Sequence, residues 1–225
     1  MYGDNPIRPP VVGDGNILEV KQIFPTLQGE GIFVGVPAVF VRLGGCNLAC
    51  KFCDTDFEDF SKVSLADIID NIQLLAKNRD GKRVFNLVVI TGGEPFRQNI
   101  VPLCEALLVL GFSVQIETNG TLYSSLPQEV DIVCSPKNVS GVYANIRPDL
   151  LPKISAFKFI ISAYNEKYKS VPEVGQSEYN TRVFVQPMDE NDLIKNAANT
   201  KLAVDLALFH GYSLSLQTHK LLGIE

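Results

Sequence analysis

The stretch Val39-Phe40-Val41-Arg42-Leu43-Gly44-Gly45-Cys46-Asn47-Leu48-Ala49-Cys50-Lys51-Phe52-Cys53 passes from a β-branched and aromatic run directly into a loop carrying three cysteines. The run reads as a short strand closed by a glycine pair. The thiols follow C-x3-C-x2-C, close enough to converge from one loop onto one small object. A cubane iron–sulfur cluster has four irons, and cysteine thiolates are their usual ligands. Three thiolates leave one iron open to a small molecule, which predicts chemistry, since an electron-transfer cluster normally closes that position. A structural zinc site usually takes four Cys or His ligands in paired spacings, and no fourth lies nearby. Catalytic zinc sites usually include histidine, and the only two, His210 and His219, are distant. Disulfides are disfavoured by the odd count of five cysteines and by the lack of a secretory signal.

Outward from this loop, apolar strands alternate with helical patterns. Strands are expected at Leu18–Phe24, Ala38–Leu43, Val84–Ile90, Ser113–Ile116, Asp131–Cys134, Ala156–Ile161, Arg182–Val185 and Tyr212–Leu216. Helices are expected at Leu65–Lys77, Ile100–Leu110 and Leu193–Phe209. The first opens on Ser64-Leu65-Ala66-Asp67, a capping box with Asp in place of Glu or Gln. Helices between strands imply an α/β fold on a parallel sheet. Residues 1–16 read as an irregular lead-in, and 17–225 as one domain.

Polar residues cluster where the strands end. The cysteine loop follows Val39–Leu43, Thr91-Gly92-Gly93-Glu94-Pro95 follows Leu87–Ile90, and Glu117-Thr118-Asn119-Gly120 follows Val114–Ile116. Ser135-Pro136-Lys137, Gln186-Pro187-Met188-Asp189 and Gln217-Thr218-His219-Lys220 follow three later strands. In barrel-like α/β folds the active site is assembled at the carboxyl ends of parallel strands. Any one polar loop is unremarkable, but six in succession beside a cysteine loop predict one shared site.

With 225 residues, 46% of them hydrophobic, the chain can bury a substantial core. No uncharged apolar run approaches the ~20 residues of a membrane helix, so a cytoplasmic protein without a membrane partner is expected. The net charge of −5 and the absence of a Lys/Arg cluster argue against nucleic acid and for a small-molecule substrate.

The triad with Phe52 before its last cysteine, followed by Gly92-Gly93-Glu94-Pro95, resembles the radical S-adenosylmethionine (SAM) superfamily. Within it, the Phe24–Gly31 segment, Phe40-Val41-Arg42, Cys53-Asp54-Thr55 and the strand-end motifs above resemble the 7-carboxy-7-deazaguanine synthase family, from about residue 17 to the C-terminus. The resemblance implies a partial, open β/α barrel of mostly parallel strands, in keeping with the sparse helices between Val130 and Arg182. It implies conversion of 6-carboxy-5,6,7,8-tetrahydropterin to 7-carboxy-7-deazaguanine with loss of ammonia, on the route to deazapurines such as queuosine. It also implies a homodimer, a 4Fe-4S cluster, SAM, Mg2+ and an electron donor such as a flavodoxin.

By the same resemblance, Cys46, Cys50 and Cys53 hold the cluster, whose open iron takes the amino and carboxylate groups of SAM. Gly93 lies against SAM, where a ligand on the backbone leaves no room for a Cβ. Glu94 either accepts the SAM amino group or only holds its loop. Ser135, Pro136, Lys137 and Gln186 fall on SAM-contacting positions, with a solvated surface lysine as the alternative for Lys137. Glu117 faces the same cavity or makes a strand-end bond.

Leu27, Gln28, Gly29 and Glu30 match a substrate loop, and Thr91 another substrate contact. Arg42, a charge inside an apolar strand, needs a partner. Either the substrate carboxylate or an ion pair with Glu30 or Glu94 supplies it. Thr55 matches the Mg2+ position, where a single hydroxyl is a plausible protein share of a mostly aqueous shell. His219 and the C-terminal Glu225 are expected over the substrate. Cys104 and Cys134 read as small buried hydrophobes. Two rivals remain: a glycyl-radical activating enzyme with a protein substrate, and a non-catalytic iron–sulfur electron carrier or metal sensor.

Overall fold

The computed structural model describes residues 5–138 and 142–224. Its strands are β1 (Ile17–Leu27), β2 (Pro37–Leu43), β3 (Ser61–Ser64), β4 (Leu87–Gly92), β5 (Ser113–Thr118), β6 (Asp131–Cys134), β7 (Ala156–Ile161), β8 (Arg182–Pro187) and β9 (Ser213–Leu214). Its helices are α1 (Leu65–Leu75), α2 (Val101–Val109), α3 (Leu193–His210) and α4 (Thr218–Leu222). The strands form one sheet in the order β3-β1-β2-β4-β5-β6-β7-β8-β9, open at β3 and β9. From β2 to β9 every pairing is parallel. Strand β1 departs from the parallel expectation, running antiparallel to both neighbours. A connection as short as 28–36 can return the chain as a hairpin, whereas a parallel return needs a longer crossover.

Alternation along the parallel strands separates two faces. Val39, Val41 and Leu43 of β2, Val88 and Ile90 of β4, Val114 and Ile116 of β5, and Phe157, Phe159 and Ile161 of β7 join the main core. Ile68 and Ile72 of α1, Leu103 and Leu107 of α2 and Ala203 of α3 pack in the same cluster. The opposite face begins with Ala38, Leu87 and Val89, a small apolar plug. Beyond the plug, toward the strand ends, it becomes polar: Arg42, Thr91, Glu117, Lys158 and Gln186 all line one cavity. Pairing sets Arg42 beside Thr91 and Ile160 beside Gln186 in register.

The helix ends follow their sequence signals. The Ser64 hydroxyl accepts from Asp67 N at 3.2 Å and donates to the Asp67 carboxylate at 2.6 Å, closing the expected cap. Asp192 caps α3 by accepting from Ile194 N and Lys195 N, and Gly211 ends that helix at φ 73°. Between β5 and β8 the described crossovers contain only 3-10 turns at Leu151–Lys153 and Glu166–Tyr168. The expected strand at Val84–Ile90 begins only at Leu87, because the backbone N–H groups of Val84 and Phe85 both donate to the Ala76 carbonyl.

Candidate active site

The cavity at the strand ends has a volume of about 270 Å³. Its wall gathers Cys46, Cys50, Cys53 and Thr55 from the cysteine loop, and Leu27, Gln28, Gly29 and Glu30 from the end of β1 and the turn after it. Arg42, Thr91, Gly93, Glu117, Ser135, Lys137, Gln186 and His219 complete the expected set. Pro136 and Glu94 are buried but do not line it, and Glu225 lies outside the described residues.

The cysteine loop is locked by backbone contacts that only glycine allows. A Cβ on Gly93 would sit 1.8 Å from the Gly45 carbonyl oxygen. The close neighbour at Gly93 is therefore the loop itself, and its demand for glycine precedes any ligand's. Glu94 N donates to that same carbonyl at 3.0 Å. Both Glu94 carboxylate oxygens are occupied: one accepts from Phe96 N and the Thr118 hydroxyl, the other from Asn119 N at 2.8 Å. Glu94 thus ties the β4 and β5 ends together. Burial outweighs these donors and raises its carboxyl to about 7.

All three thiols are pushed up by burial, Cys46 to about 12. A bound metal reverses this, because coordination deprotonates the thiol. Leu48 N lies 3.4 Å from the Cys46 sulfur and Asn119 Nδ2 3.9 Å, donors suited to a thiolate. Among the described residues no three Cys, His, Asp or Glu side chains converge where one metal ion could sit. A cubane offers a separate iron to each sulfur, so it asks that three thiols face one cavity, as Cys46, Cys50 and Cys53 do.

Two charged residues that sequence reading passed over organise the surroundings. Lys158 on β7 is buried between the carboxylates of Glu30 and Glu117, 2.8 Å from the latter. Glu117 also accepts from Gln115 Nε2 at 2.6 Å. Arg97, buried behind the cysteine loop, pairs with Glu19 and donates to the carbonyls of Gly44 at 2.9 Å and Pro9 at 3.0 Å. Lys158 was legible by the argument used for Arg42, a charge inside the apolar strand Ala156–Ile161. Arg97 had no comparable signal.

Glu30 is thus engaged by Lys158, and by Gln217 Nε2 at 2.9 Å. The Arg42 guanidinium lies 5.3 Å from the Phe24 ring centroid. Lys137 Nζ reaches the Ser135 carbonyl at 2.9 Å and is half-buried, with burial lowering its pKa. Helix α4 closes one side: Thr218 bonds the Gly29 carbonyl through N and Oγ1, both 3.1 Å, and Lys220 bridges Asp54 and Asp189. Burial lowers the His219 pKa, which favours a neutral imidazole.

Residues 40–142 match the model of the radical SAM superfamily. A 7-carboxy-7-deazaguanine synthase of Rickettsia prowazekii is 60% identical over 100% of this chain and 96% of its own length. One from Rhodospirillum rubrum is 42% identical, with both chains covered in full. The crystal structure of QueE from Escherichia coli superposes with a TM-score of 0.68 at 27% identity, covering 89% of this chain and 93% of that one. By full-length identity, cysteine loop and strand-end cavity together, this chain belongs to the 7-carboxy-7-deazaguanine synthase family of the radical SAM superfamily.

Proposed function

We propose that this cavity converts 6-carboxy-5,6,7,8-tetrahydropterin to 7-carboxy-7-deazaguanine with release of ammonia, a ring-contracting lyase reaction in deazapurine biosynthesis. The observation that carries the reading is the meeting of three thiols from one loop with Arg42, Thr91 and the Leu27–Glu30 turn around one cavity. Cys46, Cys50 and Cys53 would hold a 4Fe-4S cluster, which together with SAM would supply the radical chemistry that starts the rearrangement. The rest falls to the chain's own groups.

In this reading Gly93, Ser135, Lys137, Glu117 and Gln186 orient SAM along the strand ends. Arg42 offers a planar pair of N–H donors to the substrate carboxylate, while Phe24 supports the guanidinium from one face. Gln28 and the backbone of the Leu27–Glu30 turn read the ring edge, and the neutral imidazole of His219 adds an acceptor above it. Thr55, half-buried on the cavity wall, would offer its hydroxyl to Mg2+. A flavodoxin-like electron donor, a homodimer and a cytoplasmic setting belong to the same reading. The exposed apolar side chains Leu193, Ile194, Leu208, Phe209, Leu221 and Leu222 are compatible with a subunit contact.

Anaerobic incubation of cluster-loaded protein with the pterin, SAM, Mg2+ and a strong reductant tests it. The expected product has the mass of 7-carboxy-7-deazaguanine and appears with ammonia. Cleavage of SAM without that product would overturn the assignment and favour an activating enzyme that acts on a protein.

A further inference from the structure

The N-terminal segment 5–11 runs along the outside of the cysteine loop and touches it at both ends. Ile7 forms a parallel bridge with Cys46, and Arg8 N donates to the Cys46 carbonyl at 2.7 Å. Val11 N donates to the Arg97 carbonyl at 2.7 Å, while the Arg97 guanidinium returns a bond to the Pro9 carbonyl. Arg97 also holds the Gly44 carbonyl at the loop's start, so strap and loop share one buried cation. Arg8 pairs with Glu58 just past the loop. At the other end, buried Asn5 donates from Nδ2 to the Thr55 carbonyl at 2.9 Å. Cys53 Sγ lies 3.3 Å from that same Thr55 carbonyl.

We propose that residues 5–11 act as a strap that pre-forms the cysteine loop for its cluster, with Asn5 as the positioning residue at the Cys53–Thr55 end. The proposal rests on the cluster reading above. A loop of ten residues carrying three ligands is costly to order, and a neighbouring segment bonded near both its ends reduces the freedom left to lose on binding. Asn5 fixes the Thr55 carbonyl two residues past Cys53, and so sets where that ligand stands in the loop.

The test uses the full chain, reconstituted anaerobically, as wild type, Asn5→Ala and Asn5→Asp; the last keeps the size and removes the N–H donor. Release of iron to a chelator and the electron paramagnetic resonance of the reduced cluster are read alongside the thermal midpoint of the cluster-free protein. The expected result is faster iron release from both variants, about fivefold for one lost hydrogen bond, with an altered resonance and at most a small fall in the cluster-free midpoint, since the Asn5–Thr55 bond is present without the cluster. Equal release rates and identical spectra in all three would overturn the strap. So would a defect in Asn5→Ala alone, which marks simple packing, or a large fall in the cluster-free midpoint, which marks general destabilisation. If wild-type protein takes up no iron, the cluster reading falls first and the strap with it.

Discussion

Arg42 shows what one residue in a strand can reveal. Its charge inside Val39–Leu43 is costly without a partner, and its place on the cavity wall beside Thr91 follows from strand alternation alone. Replacing it with Ala should raise KM for the pterin about tenfold or more, the worth of a charge-assisted bond, with cluster content unchanged. Lys should restore little, because the fork and the stacking on Phe24 are lost; steady-state kinetics of the two variants check this. Glu94 makes a different prediction. Its carboxyl has an ordinary value of 4.5 and is raised to about 7 by burial. The fold therefore favours the protonated form: the contribution is complete below about pH 4.5 and is lost as pH rises through about 7, on the order of 3 kcal/mol. Urea unfolding of cluster-free protein between pH 5 and 7.5 should show wild type losing more stability than Glu94→Gln, which cannot ionise. Parallel curves would contradict the buried-carboxyl account. The sequence motif placed Glu94 at the site, but whether it faced a ligand or its own loop depended on three donors from 96, 118 and 119, which spacing cannot show.

Among the elements, those with their own periodicity were legible and those defined by a neighbour were not. Strands β2, β5, β6, β7 and β8 and helices α1 to α3 fall where alternation, apolar stripes and caps put them. Strand β3, Ser61-Lys62-Val63-Ser64, is polar and short, and it is a strand only because β1 pairs with it. Helix α4 was read as part of a strand-end loop. It exists because Thr218 anchors to the Gly29 carbonyl and Lys220 to two aspartates. This contact makes Gly29 an element-scale switch: a Cβ there would lie 2.1 Å from His219 Nδ1. Gly29→Ala should therefore displace α4, at a cost of about 1–3 kcal/mol for overpacking. Amide exchange over 217–224 should quicken and the pterin KM should rise. Unchanged exchange in that segment would show that α4 does not depend on the contact.

At the scale of the molecule, one sheet separates two chemistries. Its helix-covered face is continuous apolar core, and its other face changes from the Ala38–Leu87–Val89 plug to a polar cavity as the strands approach their carboxyl ends. The α/β class was legible because each strand carries this alternation, and the site was legible because each strand end carries its polar residues. The antiparallel β1 was not, since a hydrophobic run does not state its direction. The most direct test of the whole account is the metal content of anoxically purified protein, with spectra of the reduced protein before and after SAM. The account predicts about four irons and four sulfides per chain and a paramagnetic signal that changes when SAM binds the open iron. Bound zinc, an absence of inorganic sulfide, or a signal indifferent to SAM would contradict it.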